Sequence, residues 1–245
     1  MKVVIGGNVP TRALDVLSWN EPVRADANRC CMQNVDEQLR LPAPAPRPLG
    51  IAFDGQHVWV SSLETQRLYA MDPAQWTLAD EIEAPGSPFG IVAVGDDLRV
   101  VLGQGEADDR SIMRCIPGHG FKEHGKIACP DATGSHLAYD GSSLYLSQFT
   151  KSCILVLDEQ GASTRTIPLA HAPAALTYVD GHLYTIGVDD ANDRRLLVRI
   201  DPRDGAQAEE LAVIPFAARG LAYDGTRFWT SERDTNEIVA FARVK

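Results

Sequence analysis

One short pattern of alternating apolar and polar residues recurs five times along the chain. It reads GIAFDG at residues 50–55 and GLAYDG at residues 220–225, with looser copies between them. The first aliphatic position of each copy gives spacings of 40, 46, 39 and 45 residues, at Ile51, Ile91, Leu137, Leu176 and Leu221. A repeat of about 40 residues is typical of the four-stranded blade of a β-propeller.

Each repeat unit predicts four strands rather than a helix. Asp-Gly between two alternating stretches is a strong hairpin signal, as at residues 54–55 and 224–225. A third apolar stretch follows, and it ends in turns of the type Asp72-Pro73. A fourth stretch runs out at a proline before the next unit begins, at Pro85, Pro130, Pro168 and Pro215. No helical periodicity of similar length competes with this pattern.

The ends of the repeat region predict how the ring closes. Only 24 residues follow Leu221, which is enough for three strands but not for four. The stretch EQLRLP at residues 37–42 resembles the missing fourth strand. We therefore predict an all-β fold, a propeller of five four-stranded blades over residues 36–245, with the last blade closed by this N-terminal strand. Residues 1–35 would form an N-terminal extension packed on the propeller. The alternative is six blades, with residues 3–7 and 12–17 as strands of a further unit.

Composition excludes several classes of partner. The chain has 245 residues and a net charge of −10, without a cluster of Lys and Arg, so neither nucleic acid nor an anionic membrane surface is an expected partner. No apolar run approaches the length of a membrane span, and the N-terminus has no signal-peptide pattern. An odd set of cysteines without a CxxC pair favours reduced thiols and a cytoplasmic location, the five being Cys30, Cys31, Cys115, Cys129 and Cys153. We interpret Cys115 and Cys129 as small core residues rather than as zinc ligands.

The repeat phrase and its Asp-Gly and Asp-Pro turns resemble the broad propeller superfamily that includes NHL-repeat, YncE-like and gluconolactonase-type proteins. The resemblance covers residues 36–245 and implies architecture more than activity, because propellers carry many functions. Plant-type glutaminyl cyclases are similar in length and blade number, but their acidic signature phrases are not found here. Hydrolase, ATPase and nicotinamide-binding motifs are also not found.

Chemistry-bearing residues concentrate in the loops of one predicted face. In a propeller, the loops from fourth to first strand share a face with those from second to third. The second-to-third loops carry Glu64, Gln148, Asp189, Glu232 and Asp234, and the fourth-to-first connections carry His136, His171 and Arg219. Carboxylates and imidazole at a channel mouth could bind Ca²⁺, Mg²⁺ or Mn²⁺, or transfer protons. The same residue types also occur in ordinary solvated loops.

His136 and Arg219 are the most distinctive of these residues. His136 stands where the other units have Gly50, Gly90, Ala175 and Gly220, so its ring should enter the channel mouth; a structural, hydrogen-bonded histidine is the alternative. Arg219 could clamp a carboxylate or phosphate. The alternative is an ion pair with Glu64 or Glu232.

Two functions remain open from the sequence. The first is a small-molecule site at the channel mouth, belonging to a metal-assisted hydrolase, lyase or isomerase of the kind that the gluconolactonase-like resemblance implies. Its catalytic residues would be His136, Glu232 and Arg219, with Glu64, Gln148, Asp189, Asp234 and His171 binding the ligand. The second is a non-catalytic propeller module that binds a protein, a peptide or a small ligand.

Overall fold

The chain is a five-bladed β-propeller. The computed structural model describes residues 32–203 and 208–244. It is all-β, apart from two single-turn 3-10 helices at Pro130–Ala132 and Phe149–Lys151. Among the described residues, no helix is long and apolar enough to cross a membrane.

Five antiparallel sheets form the blades, each with its first strand innermost. The N-terminal strand is β1 (Glu37–Pro42). Blade 1 contains β2 (Pro48–Phe53), β3 (Val58–Ser62), β4 (Arg67–Met71) and β5 (Leu78–Glu83). Blade 2 contains β6 (Ser87–Val94), β7 (Asp97–Gln104), β8 (Asp109–Ile116) and β9 (Gly120–Ala128). Blade 3 contains β10 (Leu137–Tyr139), β11 (Leu144–Gln148), β12 (Cys153–Leu157) and β13 (Ser163–Pro168).

The inner strand of blade 4 is divided in two. It consists of β14 (Ala172–Pro173) and β15 (Thr177–Val179), both of which pair with β16 (His182–Asp189). The blade continues with β17 (Arg194–Ile200) and β18 (Ala208–Ile214). Blade 5 contains β19 (Ala218–Tyr223), β20 (Arg227–Glu232) and β21 (Glu237–Ala242), and its fourth strand is β1.

The predicted closure of the ring is confirmed. Strand β1 pairs antiparallel with β21, with Arg40 opposite Val239 and Leu41 opposite Ile238. The five blades are thus complete, and the six-blade alternative is wrong for the described residues. The predicted extension, residues 1–35, lies outside the described residues except for positions 32–35. There, Val35 donates a backbone hydrogen bond to Val213 of β18 at 2.9 Å.

The Asp-Gly turns are held by a recurring carboxylate. In blade 5, Asp224 accepts hydrogen bonds from two backbone N–H groups of its own turn and, at 2.7 Å, from Nε1 of the fully buried Trp229. Asp54 and Trp59 repeat this arrangement in blade 1. These bonds lower the pKa of Asp224 against the opposing effect of burial. The turn therefore links the hairpin to the tryptophan in the core between blades.

The inner strands meet closely around the axis. A Cβ on Gly220 would lie 2.3 Å from the Leu49 carbonyl oxygen, and a Cβ on Gly90 would lie 2.4 Å from Cα of His136. Buried hydroxyls from the second strands satisfy the backbone here; Ser61 Oγ, for example, accepts from Gly50 N–H and donates to the Phe89 carbonyl. The ring of first strands is narrow at this level, which leaves room for few side chains.

Candidate functional site

The structure places both predicted sets of loops on one face. Backbone bonds join them: Leu63 N–H donates to the Arg47 carbonyl at 3.2 Å, and Ser135 N–H donates to the Ser147 carbonyl at 3.0 Å. The level of Gly50, Gly90 and His136 lies just below these loops. His136 is the largest residue in a ring otherwise made of glycine and alanine, as its register in the repeat predicts.

His136 is buried and neutral. His136 is 5% exposed, and its backbone N–H donates a hydrogen bond to Ser147 Oγ at 2.9 Å. The ring nitrogens have no hydrogen-bond partner among the described residues. Burial lowers the pKa of His136 to about 3, and the positive charge of Arg219 adds to this effect. The imidazole is therefore unprotonated at neutral pH and offers one donor and one acceptor.

Arg219 is half-buried beside His136. Its guanidinium stands over the ring of Phe149, 5.6 Å from the ring centroid. In the described part of the chain it has no ion pair within 4 Å, so the expected alternative partners, Glu64 and Glu232, do not neutralise it. Burial lowers the pKa of Arg219, and the charges of Arg195 and Arg233 lower it further. Three arginines thus act on one another at the mouth, in a chain whose net charge is −10.

Two exposed carboxylates oppose that charge in part. Asp234 and Asp190 both raise the pKa of Arg219, although neither forms an ion pair with it. Of the predicted site residues, the structure brings together His136, Arg219 and Asp234.

Glu232, predicted to be catalytic, contacts a different partner. It forms an ion pair with Arg40 of the closing strand β1, and Arg40 also contacts Glu37 and Glu237. Its carboxylate is already neutralised by a cation from the outermost strand of blade 5. This contact supports ring closure rather than the mouth, so we do not include Glu232 in the candidate site.

Gln148 and Asp189, both predicted ligand-binding residues, are used in bonds to neighbouring loop residues. Gln148 Oε1 accepts a hydrogen bond from Thr133 Oγ1 at 2.6 Å, and its amide donates to the Thr133 carbonyl at 3.0 Å. Asp189 Oδ2 accepts from Asn192 and from Arg194, at 2.8 and 2.9 Å. These bonds, with the Asn192 bond first, lower the pKa of Asp189. Both side chains fix loop geometry, and we do not include them in the site.

His171 and Glu64, the other two predicted ligand-binding residues, lie apart from the cluster. His171 Nε2 contacts a carboxylate oxygen of Glu210 on β18 at 3.1 Å. Its Cβ fills the space over Gly187, 3.0 Å from where a Cβ of that glycine would be. Glu64 is exposed at its loop tip. Neither residue approaches His136 through a contact in the described structure.

The divalent-metal site that the sequence left open is not assembled in the described part of the chain. There, no three His, Cys, Asp or Glu side chains are gathered closely enough to hold a metal ion. Two of the carboxylates that could surround a metal ion, Glu232 and Asp189, form ion pairs with arginines, and Glu64 stands apart at a loop tip. What the mouth gathers instead is arginine.

Arg195 and Arg233 are the residues that the sequence reasoning missed. Arg233 follows Glu232 in a loop read only for its carboxylates, and Arg195 lies at the start of β17, two positions after Asp193. The only sequence signal was the register of the repeat, which puts both residues at the same face as Arg219. Their combined effect is electrostatic, and it emerges only when three blade segments are placed side by side.

Comparison with known proteins supports the fold. No protein-family model matches the sequence, and no curated protein matches it. Among solved structures, the chain is similar to glutaminyl cyclase from Myxococcus xanthus, with a TM-score of 0.62 and 14% identity over 85% of this chain and 97% of that chain. It is similar to the PQQ-bound aldose sugar dehydrogenase from Streptomyces coelicolor, with a TM-score of 0.55 and 14% identity over 86% and 98%.

A third similar structure is a nidogen/laminin complex, with a TM-score of 0.55 and 15% identity over 86% of this chain and 88% of that chain. At these identities the likeness shows the fold alone. The similar structures include two enzymes and one protein–protein complex, which agrees with the range of activities known on propellers. The predicted β-propeller fold is confirmed, and no specific family is assigned.

Proposed function

We propose that this protein binds a small organic anion at the channel mouth, with Arg219 as the anion-binding group and His136 as a neutral hydrogen-bonding and proton-transfer group beneath it. One observation carries the proposal. A half-buried guanidinium without a carboxylate partner in the described structure stands next to a buried, unprotonated imidazole.

The physical argument is one of charge compensation. Removing a guanidinium from water is unfavourable unless a counter-charge replaces the lost hydration. Arg195 and Arg233 increase this cost, and the exposed Asp190 and Asp234 offset it only in part. A carboxylate or phosphate at Arg219 would supply the missing charge and could form two parallel N–H···O bonds with the guanidinium fork.

The same anion would also raise the pKa of His136. Negative charge beside Arg219 weakens the effect that, together with burial, lowers the pKa of the imidazole. A histidine whose pKa rises on ligand binding can accept a proton from the bound molecule and return it. This chemistry suits a hydrolase, lyase or isomerase, and the fold shared with a cyclase and a dehydrogenase supports an enzyme by analogy. The proposal does not require the divalent metal that the sequence left open.

The test is anion binding by wild-type protein and by Arg219→Gln. Isothermal titration with acetate, phosphate and citrate should detect binding of at least one of them. The Arg219→Gln variant should lose tenfold or more in affinity, since a charge-assisted hydrogen bond contributes about 1.5–3 kcal/mol. Arg67→Gln, which removes an exposed arginine paired with Glu81, is the matched control and should bind as wild type does. Binding that survives in Arg219→Gln would contradict the proposal.

The second candidate is the non-catalytic binding module. The similarity to a nidogen/laminin complex favours it, as does the use of Glu232 and Asp189 in internal ion pairs. It predicts binding of a protein, a peptide or a small ligand without any turnover. In either case we propose a cytoplasmic location, which the free buried thiols of Cys115, Cys129 and Cys153 support.

A further inference from the structure

A groove of about 270 Å³ opens on the mouth face between blades 4 and 5. One wall comes from the start of β17, with Arg194 and Arg195, and the other from residues 213–217, which lead out of β18 toward Arg219. Ala217 lines the groove two positions before Arg219, so the groove adjoins the candidate site through the chain itself. It is slightly smaller than typical small-molecule pockets of about 300–1,000 Å³.

Two arginines that line this groove each have one donor without a partner. Nε of Arg194 and Nε of Arg195 are buried and have no hydrogen-bond partner in the described structure. Arg194 uses a terminal nitrogen to bind Asp189 at 2.9 Å, and Arg195 uses one on the Arg194 carbonyl at 3.3 Å. Each guanidinium therefore keeps a buried N–H without an acceptor. Buried donors in proteins are almost always satisfied, and because these Nε atoms lie beneath the surface, an anion in the groove would reach the two guanidinium groups through their terminal nitrogens.

The opposite wall is apolar. It consists of Ile214, Pro215, Phe216 and Ala217, with Val213 at its start. One side of the Phe216 ring carries the guanidinium of Arg40, 5.1 Å from the ring centroid, which holds the ring against the core. A wall of this kind favours a hydrocarbon or aromatic group over a small inorganic ion, because covering apolar surface removes it from water.

We infer that the ligand of the mouth is an amphiphilic organic anion: a carboxylate or phosphate at Arg195 and Arg219, joined to an apolar, preferably aromatic, body that lies in the groove along Pro215 and Phe216. The inference rests on the proposed function and names its ligand class. It adds Arg195 as a specificity-determining residue, since that side chain is shared by the groove and the charge cluster around Arg219.

Three probes separate the contributions of the ligand. Benzoate carries both the anion and the ring, acetate only the anion, and benzyl alcohol only the ring. Titration calorimetry of the full chain should show benzoate binding at least about tenfold more tightly than acetate, the gain expected from burying one ring. Benzyl alcohol should bind more weakly than benzoate by a similar factor, because it leaves the guanidinium donors without an anion.

Variants then locate the two halves of the ligand. Arg195→Gln should weaken benzoate about tenfold or more, and Ala217→Leu, which fills the groove, should abolish the preference for benzoate over acetate. Arg99→Gln is the matched control: it removes a half-buried arginine from another cavity, of about 310 Å³, and should leave benzoate binding unchanged. Phe216→Ala gives a second test of the groove should Ala217→Leu fail to fold, and it should also reduce the preference for benzoate.

The outcomes distinguish this inference from the proposed function. Equal affinity for benzoate and acetate, or benzoate binding unaffected by Arg195→Gln, would overturn the inference; loss of acetate binding in Arg219→Gln would still support the anion site. Conversely, benzoate binding that depends on Arg195 but not on Arg219 would support the groove and contradict the assignment of Arg219.

Discussion

Acid should destabilise this protein at a pH where carboxylates are still ionised, because of His136. The imidazole has a pKa of about 3 in the folded protein and an ordinary value of 6.5. As pH falls below 6.5, the unfolded chain takes up this proton before the folded chain does. The contribution to stability is therefore complete above pH 6.5, decreases progressively below it, and is fully lost near pH 3.

The size of the effect follows from the two pKa values. Their difference of about 3.5 units, at about 1.36 kcal/mol per unit, amounts to about 5 kcal/mol between pH 6.5 and pH 3. Between pH 6 and pH 4 alone, the expected loss is about 2–3 kcal/mol. The carboxylates with lowered pKa also lose stability toward pH 4, since Glu37 and Glu237 have an ordinary value of 4.5 and Asp54 and Asp224 one of 3.8. The contribution of His136 is therefore the difference in slope between wild type and a variant that lacks the imidazole.

Urea unfolding at pH 4, 5, 6 and 7 measures the slope directly. The His136→Gln variant should have a clearly shallower dependence between pH 4 and 6 than wild type, whatever its absolute stability, and the slope that remains is the contribution of the carboxylates. His119→Gln, which changes an exposed histidine, should keep the wild-type slope. Arg219→Gln should make the slope disappear at a higher pH than in wild type, since it removes part of what lowers the pKa of His136. Equal slopes for wild type and His136→Gln would refute the reasoning.

Two further predictions concern the blade architecture. Asp224→Ala leaves two backbone N–H groups and Nε1 of the buried Trp229 without their acceptor, so the free energy of unfolding should fall by about 2–4 kcal/mol in urea titrations at pH 7; a change below 0.5 kcal/mol would show that water replaces the carboxylate. Gly220→Ala combines a φ of 65° with a Cβ 2.3 Å from the Leu49 carbonyl, whereas Gly225→Ala has a φ of 94° and open space. In thermal unfolding, Gly225→Ala should lower the free energy of unfolding by about 1–2 kcal/mol, and Gly220→Ala should lower it clearly more. Equal losses would mean that the inner ring tolerates a methyl group.

The blade architecture could be predicted from the sequence because its signals are local. The spacing of the repeat, the Asp-Gly hairpins and the stretch at residues 37–42 each lie within a few residues of the feature that they specify. Trp59 and Trp229 are core residues for the same reason, since their positions in the repeat are equivalent.

The candidate site was only partly predictable, because side-chain partners come from distant segments. Nothing near Glu232 indicates that Arg40, 192 positions earlier, occupies its carboxylate. His171 looks like a mouth residue until Glu210 of an outer strand is placed beside it. His136 was identifiable because it departs from a local pattern of small residues. Arg195 was not identifiable from the sequence, since its role depends on its proximity to Arg219 rather than on its own neighbours in sequence.

The pairing of β1 with β21 also has a consequence for synthesis. The ribosome makes β1 first and β21 about 195 residues later, which at about 5–20 residues per second takes about 10 to 40 s. During that time β1 has no partner, and β2 to β20 can form four blades and part of a fifth whose outer edge is open. The nascent chain therefore exposes both β1 and the sheet edge with which β1 pairs. The same edge is exposed on other nascent chains translated from the same mRNA, so β1 could pair with any of them. Slow translation of this protein should favour exchange of β1 between chains, and rapid release should favour closure within one.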